Sequence, residues 1–329
     1  MGQQLRFELR KLAARDDADG YSLKEFHEAA GDVVWNRRLR GREGVVEIEG
    51  DETRRGPGCK TGGMTHDADV IPTIGYGTYA LTDPASSVAS AIELGYRLID
   101  TASSYGNERE VGLGVRDSAV ARDQVAVTSK LRGDDQVAGA RAGLERSLDD
   151  LGLSYLDNYL IHWPLPSLGR YREVYGELMA AREEGLIRRL GVSNFLPEHL
   201  TALYDAYGEW PAINQIELHP YFPQQTLLAW CQERGIEVQA WSPLGRKTDL
   251  LSNETVTTMA HAHGCTPAQL VLAWHLARGC APIPKTDSTE RAAENLAAVS
   301  LRLTGREVEA LASLERGRIG GDPATHVEM

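Results

Sequence analysis

The chain has 329 residues, with 35 lysines and arginines against 47 aspartates and glutamates, which gives a formal net charge of −12. This acidic balance argues against nucleic acid and anionic membrane surfaces as partners. Hydrophobic runs stay short of the ~20 residues that a membrane helix needs, and the N-terminus lacks an apolar signal segment, so we expect a soluble, cytoplasmic protein.

The first 63 residues differ from the remainder in charge, because they contain 12 basic and 12 acidic residues and carry no net charge. They include one capped-helix signal from Ser22 to Glu25 and end in RRGPGCKTGG, which is typical of a flexible linker. One interpretation is a small appended module, and the other is an upstream start codon that adds poorly ordered residues without a role. So few large apolar groups favour the second interpretation. We therefore expect an extension over residues 1–63 and one domain over residues 64–329.

From residue 70 onward, strand-like and helix-like segments alternate. The predicted strands cover residues 70–76, 96–100, 124–130, 156–162, 187–192, 213–217, 237–241 and 281–284. The predicted helices cover residues 85–95, 107–115, 137–151, 172–184, 197–207, 223–234, 267–278 and 289–297. Such alternation predicts a parallel sheet covered by helices, and eight units favour an α/β fold of the (β/α)8 TIM-barrel type. A dinucleotide fold with an open sheet is less consistent, because no GxGxxG follows any predicted strand.

Four residues that together can reduce a carbonyl group lie at or just after predicted strand ends. They are Asp100 and Tyr105 in LIDTASSYGNE, Lys130 in VTSKL, and His162 in LIHWP. Side chains at the C-terminal ends of barrel strands converge on one face. The Lys130 ammonium would favour the Tyr105 phenolate and so make the phenol a better proton donor, while Asp100 holds the lysine.

The motifs LIDTASSYGNE, TSK, LIHWP, GVSNF and PIPKT…R…EN occur in this order in the aldo-keto reductases. From Met64 onward the chain resembles this family, and within it the prokaryotic 2,5-diketo-gluconate reductase branch. The resemblance implies NADPH-dependent reduction of an aldehyde or ketone by hydride transfer, with Tyr105 as the proton donor and His162 orienting the carbonyl. It also implies a small-molecule substrate, no metal and a monomer.

The resemblance assigns the cofactor to residues that follow the later strands. These are Ser193, Asn194 and Gln215 for the carboxamide, Trp241 for the nicotinamide ring, Ser242 and Leu244 for the pyrophosphate, Lys285, Thr286 and Arg291 for the 2′-phosphate, and Glu294 and Asn295 for adenine. Guanidinium and ammonium groups suit a dianionic phosphate. Asp287 departs from the family pattern, which usually has an uncharged residue there, and a carboxylate at this position would repel the 2′-phosphate. This leaves NADH as an alternative cofactor.

Trp163 and Arg132 are expected beside His162 at the substrate rim, where Arg132 would attract a carboxylate. The tail that begins at Ile319 is short, which indicates an open pocket. A metal interpretation of His261 and His263 is weak, because residues two apart on a helix point in different directions.

An alternative function is a nucleotide-binding regulatory subunit with vestigial turnover, although the complete set of four catalytic residue types gives no reason for a loss of turnover. Residues 64–329 contain only three lysines beside 20 arginines and 35 acidic residues. This composition favours a halophilic origin, while a GC-rich genome would also replace lysine by arginine.

Overall fold

The computed structural model describes residues 74–328, and the expected extension over residues 1–63 lies outside them. Eight parallel strands form one sheet in chain order. They are β1 (Tyr76–Gly77), β2 (Leu98–Asp100), β3 (Ala126–Leu131), β4 (Leu156–Ile161), β5 (Ile187–Ser193), β6 (Ile213–Glu217), β7 (Glu237–Trp241) and β8 (Ala281–Pro282).

Helices follow the strands and cover the outside of the sheet. They are α1 (Pro84–Leu94), α2 (Glu108–Asp117), α3 (Gly133–Ala138), α4 (Ala140–Leu151), α5 (Tyr171–Glu183), α6 (Pro197–Tyr207), α7 (Gln225–Glu233), α8 (Glu254–Ala262), α9 (Pro267–Ala277), α10 (Thr289–Ala297) and α11 (Gly305–Ala312). None of the helices between residues 74 and 328 is long and apolar enough to cross a membrane.

Backbone hydrogen bonds join the first strand to the last and close the sheet. The Gly75 amide donates to the Pro282 carbonyl oxygen at 3.0 Å, and the Gly77 amide donates to that of Pro284 at 2.9 Å. All six residues of β4 are buried, as expected for a strand with side chains on one face inside the barrel and on the other beneath helices. The predicted (β/α)8 barrel is therefore confirmed.

Three helical regions differ from the predicted pattern. The helix predicted over residues 137–151 begins earlier and is divided into α3 and α4 at Gly139, where φ is +128°. Only glycine adopts this backbone conformation without strain, so Gly139 ends one helix and starts the next. The alternating pattern also omitted α8 and α11, although a capping box of Thr304 and Glu307 marks the start of α11.

Candidate active site

The four predicted catalytic residues lie together at the C-terminal face of the barrel. Asp100 is the last residue of β2, Lys130 is the penultimate residue of β3, and His162 follows β4 directly. Tyr105 ends the 3-10 turn Ser103–Tyr105 after β2. Parallel strands point their carboxyl ends the same way, so residues far apart in sequence meet here.

A buried ion pair forms the floor of this cluster. Lys130 Nζ lies 2.6 Å from Asp100 Oδ1 and also donates to the Thr101 carbonyl oxygen at 2.8 Å. The Lys130 side chain is 0% exposed and that of Asp100 is 5% exposed. Burial is the largest influence on the pKa of Lys130 and lowers it, but the charges and hydrogen bonds of Asp100 and Tyr105 together raise it more, so that the pKa lies above its ordinary value. Gln215 Nε2 donates to Asp100 Oδ2 at 2.7 Å and so completes the partners of the carboxylate.

Tyr105 lies directly above this ion pair. The Lys130 ammonium is 5.1 Å from the centre of the Tyr105 ring. Burial raises the pKa of the phenol, the Lys130 charge lowers it, and the Asp100 charge raises it again, with a net upward direction. Lys130 thus acts in the predicted direction, and burial sets the net upward direction because the cost of removing the charged form from water is larger. The phenol keeps its proton at neutral pH.

His162 contacts residues from three parts of the chain. Asn194 Nδ2 donates to the His162 carbonyl oxygen at 3.1 Å, and Ser104 Oγ lies 3.3 Å from His162 Nδ1. Glu328 Oε1, from the C-terminal tail, lies 2.7 Å from the same nitrogen. The expectation of an open pocket beside a short tail is therefore wrong. The tail continues past Ile319 and places a carboxylate on His162.

A cavity of about 590 Å³ begins at this cluster and extends toward the loop after β8. It is lined by Gly77, Thr78, Tyr79, Asp100, Ser104, Tyr105, His162, Trp163, Asn194, Gln215, Trp241, Ser242, Pro243, Leu244, Arg246, Ile283, Pro284, Lys285, Gly320, Gly321, His326 and Glu328. Ten of the residues predicted for the site are among them. The lining does not include Lys130, which lies beneath Tyr105, or Ser193, Thr286, Arg291, Glu294, Asn295 and Arg132.

The amide groups predicted for the nicotinamide lie along one wall of this cavity. Ser193 Oγ donates to the Gln215 carbonyl oxygen at 2.8 Å, and Asn194 Nδ2 donates to Ser193 Oγ at 3.0 Å. Trp241 Nε1 donates to Asn194 Oδ1 at 2.8 Å, which fixes the indole over the wall. Gln215 uses its Nε2 group for Asp100 and Gln239, and its Oε1 atom has no hydrogen-bond partner among the described residues. That oxygen is available to accept a bond from a ligand.

The far end of the cavity contains a second lysine–aspartate pair. The Lys285 ammonium contacts Asp287 Oδ2, and the Thr82 amide donates to Asp287 Oδ1 at 2.7 Å. The Lys285 hydrogen bond is the main reason that the pKa of Asp287 lies below its ordinary value. Arg291 lies exposed in the first turn of α10, so both predicted cations are close to solvent.

Three other predicted cofactor residues are held by protein contacts. Thr286 Oγ1 accepts from the Ser288 amide at 3.1 Å, close to the start of α10. Glu294 Oε1 accepts from Thr266 Oγ1 at 2.6 Å. Asn295 is buried on α10. Their assignments to phosphate and adenine stay predictions.

Arg132, predicted for the substrate rim, and His263, considered as a metal ligand, both lie outside the cavity lining. Arg132 Nη2 lies 2.6 Å from Asp134 Oδ2, so the guanidinium already has a carboxylate partner. Near the end of α8, His263 Nε2 lies 2.7 Å from Glu307 Oε1. In the part of the chain that the structure describes, no group of three or more metal-ligating side chains is placed to hold an ion.

The structure adds three residues that the sequence analysis missed. Tyr79 packs edge-on against Tyr105, with ring centres 5.0 Å apart. Arg246 lies with its guanidinium 5.2 Å from the Tyr79 ring centre, and it could have been found because it directly follows the SPLG motif. Glu328 had no comparable signal, since nothing near it in sequence indicates a contact with His162.

The barrel and the buried Lys130–Asp100 pair beneath a tyrosine define a TIM-barrel oxidoreductase site. Residues 73–316 match the model of the Aldo/keto reductase family. The chain belongs to the aldo/keto reductase family, and it is an NAD(P)H-dependent oxidoreductase that acts on carbonyl compounds.

Sequence comparison finds similar reductases in two bacterial groups. The chain is 46% identical to 2,5-diketo-D-gluconic acid reductase B of Corynebacterium sp. over 259 residues, which cover 78% of this chain and 94% of that protein. It is 40% identical to the methylglyoxal reductase DkgA of Salmonella typhimurium over 261 residues, which cover 78% and 94% of the two chains. The predicted resemblance to the diketo-gluconate reductase branch is confirmed.

Solved structures of the family superpose on the barrel. A variant of Gox0644 in complex with NADPH matches with a TM-score of 0.74 at 39% identity, covering 78% of this chain and 95% of that one. An aldo-keto reductase of Bombyx mori in complex with NADP matches with a TM-score of 0.70 at 34% identity, covering 74% and 89%.

Proposed function

We propose that this protein uses NADPH to reduce an aldehyde or ketone to an alcohol, with Tyr105 as the proton donor. The observation that carries the proposal is the buried Lys130–Asp100 pair, at 2.6 Å, directly beneath a tyrosine that lines the cavity. A buried ion pair contributes little to stability compared with apolar packing, so its presence here favours a chemical role.

Tyr105 supplies the proton, and Lys130 stabilises the phenolate that remains after the proton leaves. Burial keeps the phenol protonated, so a proton is available at neutral pH. As the carbonyl oxygen gains electron density it takes this proton, and the ammonium favours the phenolate that forms. Asp100 keeps Lys130 charged and in position. His162 lies beside Tyr105, with ring centres 6.0 Å apart, and orients the carbonyl oxygen toward the phenol.

The residues along the cavity wall fit a nicotinamide nucleotide. When bound, the cofactor supplies the hydride that the carbonyl carbon accepts. The free Gln215 Oε1 atom suits the carboxamide N–H groups, together with Ser193 and Asn194. Trp241 offers a flat aromatic face to the ring. Ser242 and Leu244 line the next part of the wall.

The pyrophosphate and the 2′-phosphate need positive charge, and the cavity provides it beyond Leu244. Arg246 lines the cavity and is the group that we assign to the pyrophosphate. Lys285 and Arg291 are assigned to the 2′-phosphate, which favours NADPH over NADH. The complexes of family members with NADPH and NADP support this preference. The Asp287 carboxylate opposes it, because Lys285 must exchange one anionic partner for another.

The substrate class is a small carbonyl compound. The two bacterial relatives are named for a keto sugar acid and for methylglyoxal, an uncharged dicarbonyl. Both are small enough for the carbonyl end of the cavity, where His162, Trp163 and Tyr105 meet.

The test is a panel of aldehydes and ketones assayed by the loss of NADPH absorbance, with NADH run in parallel. We expect carbonyl-dependent oxidation of NADPH, slower oxidation of NADH, and the reverse reaction with NADP and the matching alcohol. Binding of NADPH without its oxidation by any carbonyl compound in the panel would contradict the proposed function.

A further inference from the structure

The C-terminal segment 319–328 is fixed at its start by a buried carboxylate. Glu217, the last residue of β6, accepts hydrogen bonds from the Ile319 amide at 2.7 Å and from the Gly320 amide at 2.9 Å. His219 Nε2 lies 3.1 Å from the same carboxylate. A Cβ atom at Gly320 would collide with the Trp241 ring, so the segment enters the cavity tightly against the predicted nicotinamide wall.

The remainder of the segment folds back over the substrate end. The carbonyl oxygen of Asp322 accepts from the Thr325 and His326 amides, which forms a turn. The His326 ring then lies on Trp163, with ring centres 3.9 Å apart. A Cβ atom at Gly133 would collide with the Glu328 carbonyl oxygen. Contacts along the whole segment thus determine where Glu328 lies.

Glu328 brings a negative charge to the carbonyl end of the cavity. Burial raises the pKa of its carboxyl group, but the contacts with His162 and Ser104 lower it more, so that the net direction is downward and the group is ionised at neutral pH. Oε1 contacts His162 Nδ1, while Oε2 is buried without a hydrogen-bond partner in the described part of the chain. A carboxylate with one unpartnered oxygen is poorly screened.

Glu328 faces His162 and His326, and the lysines and the arginine of the cavity have other partners. Lys130 is paired with Asp100 beneath Tyr105, and Lys285 is paired with Asp287 at the far end. Arg246 lies against Tyr79 and is assigned to the cofactor. A substrate whose carbonyl oxygen reaches Tyr105 and His162 therefore meets the Glu328 carboxylate directly beside His162.

We propose that Glu328 is a specificity residue that disfavours substrates bearing a carboxylate, so that the pocket selects uncharged aldehydes and ketones. This inference rests on the proposed function and narrows its substrate class. The Glu328 carboxylate and a carboxylate on the substrate, about 6–12 Å apart at an effective dielectric constant of about 20, would repel each other. This repulsion is equivalent to a roughly 10- to 100-fold loss in kcat/KM.

The test compares two aldehydes that differ only in charge, namely 4-carboxybenzaldehyde and its neutral methyl ester, methyl 4-formylbenzoate. Glu328→Gln removes the charge and keeps the size of the side chain. We expect the ratio of kcat/KM for the acid to kcat/KM for the ester to rise roughly 10- to 100-fold, because a change that acts through His162 affects both aldehydes alike. Competition against the best substrate of the panel gives an inhibition constant for either compound if it is not itself reduced.

Asp322→Asn is the matched control, because Asp322 lies in the same segment, caps its own turn and is absent from the cavity lining. We expect this variant to keep the acid-to-ester ratio of the unmodified protein. An equal change for acid and ester in Glu328→Gln would overturn the inference, since the tail would then be a simple obstruction. An unchanged ratio would overturn it as well. In both cases, reduction of the ester by NADPH would leave the proposed function intact. Absence of turnover across the whole panel would contradict both the inference about Glu328 and the proposed function.

Discussion

The two ends of the cavity are each built around a lysine–aspartate pair, but the pairs lie in opposite surroundings. Lys130 and Asp100 are 0% and 5% exposed at the carbonyl end, whereas Lys285 and Asp287 are 33% and 40% exposed at the phosphate end. Water screens the second pair and leaves it free to exchange partners, while the first pair is held by the barrel. Under the proposed function, the chemistry would therefore depend on the core of the fold, and the choice between NADPH and NADH on a surface that single substitutions can alter.

The largest expected difference between the two ends is in the free energy of unfolding, when the same substitution is made at Lys130 and at Lys285. Lys130→Met leaves the Asp100 carboxylate buried and unpaired, which should lower the free energy of unfolding by about 3–5 kcal/mol and abolish most turnover. Lys285→Met should lower it by only about 0–1 kcal/mol. Urea unfolding of both variants measures the difference. Equal losses would show that the two pairs are not distinct in their surroundings.

At the phosphate end, Arg291→Ala should weaken NADPH binding by about 1–3 kcal/mol, which is the range for a lost hydrogen bond to a charged group. NADH lacks the 2′-phosphate, so its binding should hardly change. Fluorescence titration of the variant with each cofactor gives both dissociation constants. An equal loss for NADPH and NADH would show that Arg291 does not contact the 2′-phosphate.

The smallest expected effect is a gain in affinity for NADPH. Asp287→Asn removes the carboxylate that occupies Lys285, so NADPH should bind more tightly by up to about 1 kcal/mol, while NADH binding stays the same. Glu290→Gln is the matched control, because the Glu290 carboxylate accepts from Ser288 Oγ at 2.7 Å and does not contact Lys285. Weaker binding of NADPH by Asp287→Asn would mean that the aspartate supports Lys285 rather than competing for it.

The same contrast explains what the sequence could predict. Apolar runs of strand length predicted seven of the strands closely, whereas the first predicted strand, over residues 70–76, shares only Tyr76 with β1. The runs also predicted the convergence of Asp100, Lys130 and His162, because parallel strands bring their carboxyl ends together whatever the loops do. These predictions depend only on local pattern and on the barrel.

The missed features depend on contacts between distant segments or on burial. Glu328 follows no periodic segment, and its contact with His162 exists only because Glu217 and Trp163 hold the tail across the cavity. The upward direction of the Tyr105 pKa could not be read from charges, since burial decides it. Helices α3 and α4 were merged because the spacing of apolar residues continues across Gly139.

The most direct test of the chemical role of the carbonyl end is the single-turnover rate of the Tyr105→Phe variant saturated with NADPH. The substitution removes one oxygen and leaves the ring contacts with Tyr79 and His162, and none of the residues assigned to the cofactor is changed. Carbonyl reduction should fall by about 10²–10⁴-fold, the range for loss of a positioned general acid. A near-normal rate with NADPH bound would contradict the assignment of Tyr105 as the proton donor.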